Sequence, residues 1–131
     1  MSHSIAETAD RLFAAIEQGD RATVDRMWSP DVTVWRVGRG PTKSDDKARA
    51  LRVIEWFMST TIGRSYEILD RQLFENGFVQ QHVLHATGHA GPSISMRVCI
   101  VIKLDNEGLI NRIDEYFDPA EIAPLLGSAT E

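Results

Sequence analysis

Two titratable side chains sit at strand positions whose same-face neighbours are hydrocarbon. Residues 109–117 alternate as a strand does, with Ile113, Glu115 and Phe117 on one face and Arg112, Asp114 and Tyr116 on the other. In the strand-like run 78–86, His82 shares its face with Leu84 and Ala86. If both faces look into a pocket, a carboxylate and an imidazole meet in apolar surroundings. Desolvation raises the pKa of a carboxylate and lowers that of an imidazole, whereas pairing favours both charged forms. Such a pair passes a proton near neutral pH, as general acid and base at an enolisable or hydroxylated carbon require. The plainer alternative is a structural hydrogen bond between Glu115 and His82, or between Glu115 and an arginine such as Arg36, since structural pairs perturb pKa values too.

The other reactive residue types carry less. His82 and His85 point to opposite faces of one strand, and His85 and His89 have helical ligand spacing in a stretch that Gly88 and Gly91 mark as a turn, so no metal site is expected. Cys99 lies mid-strand with no basic neighbour in sequence and reads as a small buried hydrophobe. No nucleophile elbow, phosphate loop or dinucleotide fingerprint occurs, and no cofactor is expected. Trp28, Trp35, Trp56 and Phe57 are either plain core or the lining of a cavity for a ring-shaped ligand. Asp31 and Asp118 read as caps of turns or helix starts.

The elements that must position these groups follow from periodicity. Ile5, Ala9, Leu12, Phe13 and Ile16 form one helical stripe over residues 5–18, with Ser4 and Glu7 spaced as a capping box and Gly19 as the stop. Asp20 caps a shorter helix carrying Val24, Met27 and Trp28, and Ser29-Pro30-Asp31 is expected to turn the chain out of it into a strand at 32–37. Residues 38–46 form a polar loop, the expected rim of any pocket, and a third helix covers 46–60. Strands are predicted at 66–75, 78–86, 94–104 and 109–117, with Asn76-Gly77 as a two-residue hairpin turn and a short closing helix. Helices first and strands afterwards, joined by hairpin-length turns, make the class α+β around a curved, mostly antiparallel sheet.

Composition bounds the rest. At 131 residues the chain is expected to be a single domain, and 43% hydrophobic with 25% charged residues excludes disordered and fibrous classes. A net charge of -5 argues against nucleic acid or an anionic membrane as partner. One cysteine rules out an intramolecular disulfide, and the N-terminal residues lack the basic start and apolar run of a signal peptide, so a cytoplasmic protein is expected. The centre of 96–102 is apolar on both alternating faces, which predicts a homodimer through the outer face of the sheet or, more simply, a drier outer face than usual.

Two stretches, Gln80-Gln81-His82-Val83-Leu84-His85 and Gly108-Leu109-Ile110-Asn111-Arg112-Ile113-Asp114-Glu115-Tyr116-Phe117-Asp118, together with the order of elements, resemble the SnoaL-like branch of the nuclear transport factor 2-like superfamily. The resemblance implies a cone-shaped sheet of the cystatin-like kind packed against three N-terminal helices. It also implies a relation to ketosteroid isomerases, polyketide cyclases, dehydratases and limonene epoxide hydrolases, among which fold does not choose. Carried across residue by residue, the epoxide hydrolase's last-strand acid falls on Glu115, but its Arg-x-Asp pair falls on His82 and Leu84, and its water-holding residues fall near Val34 and Arg36. These departures argue against that activity. The expected function is binding of a small apolar, cyclic molecule in the cone, with Glu115 and His82 as proton-transfer groups. Arg36, Val34, Trp56, Leu84, Val98, Ile113 and Phe117 would then surround the ligand. The competing expectation is a non-catalytic homodimeric module whose cone is filled by its own side chains; a cavity that reaches Glu115 separates the two.

Overall fold

The computed structural model describes residues 3–126. Helix α1, Ile5–Gln18, begins where sequence places it: Glu7 N donates to Ser4 Oγ at 3.1 Å and Ser4 N to Glu7 Oε1 at 2.8 Å. It ends on Gly19 at φ 72, a left-handed conformation that glycine adopts without steric cost. Its buried stripe of Ala9, Leu12, Phe13 and Ile16 lies over the sheet. Helix α2, Arg21–Met27, is capped by Asp20, which accepts from Thr23 N at 3.1 Å.

Strand β1, Trp28–Arg36, starts without a break, so the turn expected at Ser29-Pro30-Asp31 is absent. The strand lies at the sheet edge, where the N–H that Pro30 lacks has no partner to lose, and the pairing register slips between Trp28 and Thr33 to absorb it. Residues 38–46 are tied back rather than loose. Val34 and Asp45 exchange both backbone hydrogen bonds, at 3.0 and 2.8 Å, and Arg39 pairs with the buried Asp45 at 2.9 Å. Helix α3, Lys47–Thr60, follows, capped by Asp46 and covering β1 and the start of β2.

Strand β2, Thr61–Phe74, begins five residues before its predicted start, because the Arg64 guanidinium caps the carbonyls of Ile16, Met58 and Thr61 and holds the strand's first turn against two helix ends. Strands β3, Gly77–Gly88, β4, Ser93–Leu104, and β5, Ile110–Tyr116, complete a sheet of order β1-β5-β4-β3-β2, antiparallel except for β1 on β5. A 3-10 turn, Pro119–Ile122, and helix α4, Ala123–Leu126, close the described chain. This is the cone-shaped α+β architecture expected from sequence.

The β2–β3 turn residues are Glu75 and Asn76, one position earlier than expected, and neither takes a positive φ. Gly77 is required for another reason: a Cβ there would lie 2.0 Å from the backbone oxygen of Ile102 on β4. Gly77→Ala should therefore lower stability by about 1–3 kcal/mol or more through overpacking, whereas Gly63→Ala, with open space around it, should change it little. Urea denaturation of the two variants checks this, and equal midpoints would refute it.

Candidate functional site

The helices do not close completely over the inner face of the sheet. Between α1, α3 and strands β3 to β5 lies a cavity of about 170 Å³. Leu12, Phe13 and Ile16 of α1 and Val53, Ile54, Trp56 and Phe57 of α3 form its roof; Trp28, Tyr66, Leu84, Met96, Ile100 and Ile113 form its walls; Phe117 and Ile122 lie towards its end. The side chains of Arg36, Glu115 and His82 interrupt this hydrocarbon, in addition to the phenol of Tyr66 and the indole N–H of Trp28.

Pairing register explains why Arg36, Glu115 and His82 converge. Residues opposite each other on neighbouring strands share a face. Arg36 on β1 pairs with Glu115 on β5, Glu115 with Ile100 on β4, His82 on β3 with Val98, and Leu84 with both Met96 and Tyr66. Glu115 thus reaches the cavity between Ile113 and Phe117, on the face its alternation indicates. Its partner, however, is not His82. Arg36 Nε donates to Glu115 Oε1 at 2.9 Å, both side chains being largely buried, so the alternative weighed in the sequence, a carboxylate held by Arg36, is the arrangement formed. Glu115 Oε2 has no partner among the described residues.

His82 is 1% exposed and lies between the rings of Phe13, 5.4 Å away, and Tyr66, 4.9 Å away. Its Nδ1 is 2.8 Å from Nε2 of Gln80, while its Nε2 is buried without a partner. Burial pushes its pKa from 6.5 down to about 4, which keeps the ring neutral at pH 7. The Tyr66 phenol is pushed upward, first by desolvation and then by the negative charge of Glu115, so it remains a protonated O–H.

Of the expected ligand-contacting residues, Arg36, Trp56, Leu84, Ile113 and Phe117 line the cavity. Val34 and Val98 do not: at 0% and 1% exposure they are packed beneath it as core. No residue of 38–46 lines it either, so the expected rim is replaced by Trp56, Phe117 and Ile122. Trp28 and Phe57 line it, whereas Trp35 is on the other face, stacked near Tyr116 at 5.2 Å with its Nε1 donating to Gly40 O. Sequence reasoning missed Tyr66, whose aromatic ring two positions from the Arg64 anchor was the available signal, and missed Gln80 and Arg71. Among the described residues no three His, Cys, Asp or Glu side chains converge as a metal would require.

Comparison with known proteins identifies the family. The model of the SnoaL-like domain matches residues 9–113, and the chain belongs to that family, within the nuclear transport factor 2-like superfamily. Solved structures that share the fold include IdmH, a proposed polyketide cyclase from Streptomyces antibioticus, 18% identical with TM-score 0.78 over 95% of this chain and 99% of that one. An epoxide hydrolase of M. tuberculosis is 18% identical with TM-score 0.71 over 95% and 90% of the two chains. A protein of ketosteroid isomerase-like fold from Catenulispora acidiphila is 11% identical, with TM-score 0.75 over 95% of each. No curated protein matches in sequence.

The buried imidazole sets a pH dependence. Between pH 6.5 and about 4 the unfolded chain binds a proton at His82 that the folded protein refuses, so the stability His82 contributes is full above 6.5 and is lost as pH falls toward 4. The loss is on the order of 3 kcal/mol. Urea unfolding at pH 7 and pH 4 should show His82→Leu losing less stability over this interval than the parent chain by about that amount; parallel losses would contradict the assignment.

Proposed function

We propose that the chain binds a small, apolar, cyclic organic molecule in its cone and that Glu115 transfers a proton on it, in chemistry of the isomerase, cyclase or dehydratase kind. The observation that carries this reading is a carboxylate with one oxygen held by a cation and the other unpartnered, set in a cavity whose remaining lining is almost wholly hydrocarbon. Arg36 orients the carboxylate, and Trp56, Leu84, Ile113 and Phe117 supply the apolar contact. At about 170 Å³ the cavity compares with the roughly 150 Å³ that takes up benzene in an engineered core, which favours a single-ring ligand, or a larger one that projects past Trp56. The absence of a second carboxylate, with Leu84 where an epoxide hydrolase would carry one, weighs against epoxide hydrolysis.

The competing reading is a binding module without turnover, in which Arg36 and Glu115 are a structural pair. Thermal-shift screening of cyclic ketones, terpenoids, steroids and polyketides, followed by turnover assays on the hits, separates the two. Glu115→Gln, which keeps shape and removes the base, should retain binding while turnover falls about 10²–10⁴-fold. Hits that bind both forms equally, with no turnover by either, leave only the binding module.

A homodimer through the outer sheet face belongs to the same proposal. Val79 beside Val101 and Cys99 beside Tyr116 are the apolar positions there, set among the Arg97–Gln81, Arg112–Asp114 and His85–Glu67 pairs. Sedimentation at micromolar concentration should give twice the chain mass; a monomer removes the dimer without touching the cavity. A cytoplasmic location and the absence of nucleic-acid or membrane partners complete the reading, in keeping with the net charge of -5; among the described residues no helix is long and apolar enough to cross a membrane.

A further inference from the structure

A buried polar chain leads from the surface to the cavity. Asp10 on α1 pairs with Arg71 NH1 at 2.9 Å, Arg71 Nε donates to Gln80 Oε1 at 2.8 Å, and Gln80 Nε2 lies 2.8 Å from His82 Nδ1. Gln80 is 0% exposed, so no solvent offers it an alternative partner. Arginine has donors only. The amide oxygen of Gln80 must therefore face Arg71, and its NH₂ must face the imidazole. An NH₂ donates, so His82 Nδ1 must present its lone pair, and the ring proton must sit on Nε2. The cation thus selects the imidazole tautomer through one amide.

That Nε2–H is buried, in a residue lining the cavity, and has no partner among the described residues. Trp28 Nε1 and Arg36 NH1, on two further lining residues, are likewise buried and unpartnered. A buried donor left unpaired is costly, and a ligand that brings an acceptor into the cavity His82 lines would relieve that cost. We propose that His82 is a neutral hydrogen-bond donor to a carbonyl oxygen of a cyclic ligand, fixed in that role by Arg71 and Gln80 as positioning residues. This rests on the cone-binding reading and replaces the expectation that His82 exchanges protons with Glu115: its lone pair is occupied by Gln80, and its proton is committed to donation. Burial, which keeps the ring uncharged, acts in the same direction.

The tautomer is tested first, on the whole ligand-free protein labelled with ¹⁵N-histidine at pH 7. Long-range ¹H–¹⁵N spectra should show His82 with an unprotonated Nδ1 and a protonated Nε2. Gln80→Glu puts a carboxylate acceptor opposite Nδ1 and should move the proton there; Arg71→Met releases the amide and should give mixed signals. A protonated Nδ1 in the parent chain, or an unchanged pattern in Gln80→Glu, overturns the assignment. Binding is tested next with cyclohex-2-enone against cyclohexene, by calorimetry. The ketone should bind about tenfold more tightly, the worth of one buried hydrogen bond, and this preference should shrink in Gln80→Glu. Equal binding of ketone and hydrocarbon overturns the donor role while leaving the cone-binding reading intact. Binding of neither overturns both, and the tautomer then stands on its spectrum alone.

Discussion

The ion pair of Arg36 and Glu115 is the contact on which the interior turns. A carboxylate among Ile100, Ile113 and Phe117 is tolerable only with a cation beside it, and that cation comes from 79 positions earlier in the chain. Parallel pairing of β1 on β5 delivers it, placing Arg36 directly opposite Glu115. Since β1 joins the sheet through β5 alone, one interaction both fastens the end of an edge strand and charges one wall of the cavity. The far wall solves the same problem differently: His82 is kept neutral by burial and hydrogen-bonded by an amide. Two polar groups, each satisfied on its own side, leave the space between them open for a ligand.

Local chemistry was the part of the structure most legible in the sequence. The Ser4–Glu7 box, the Asp20 cap and Gly19 at a helix end involve residues within a few positions of one another, and each formed as read. Alternation identified the face of Glu115 and of His82 because a strand has a period of two whatever it packs against. Partners could not be read the same way. Arg36 with Glu115, Arg71 with Gln80, and Arg64 with the carbonyl of Ile16 are long-range pairs created by strand order and helix placement, which no sequence window contains. The early start of β2 and the strand conformation of Ser29-Pro30-Asp31 have the same origin, tertiary context overriding local turn signals. Val34 and Val98 show the finer limit: period tells which side a residue faces, but not whether it meets a void or another side chain.

The SnoaL-like fold is shared with proteins described as a polyketide cyclase and an epoxide hydrolase, at identities that carry the backbone and little else. The polar groups within this chain's cone are few. One acid is held by an arginine, one imidazole by a glutamine, and the other walls are aromatic and aliphatic.

The hollow itself also carries a thermodynamic implication. The atoms that line a cavity of about 170 Å³ lack packing partners on one side and forgo the dispersion contacts a filled core would give them. A few larger side chains at Leu84, Ile100 or Ile113 would recover many of them. A sequence that keeps small and medium residues there trades robustness for vacancy, and an occupant would then double as a missing piece of the core, so that heat tolerance and supply of the bound compound rise and fall together.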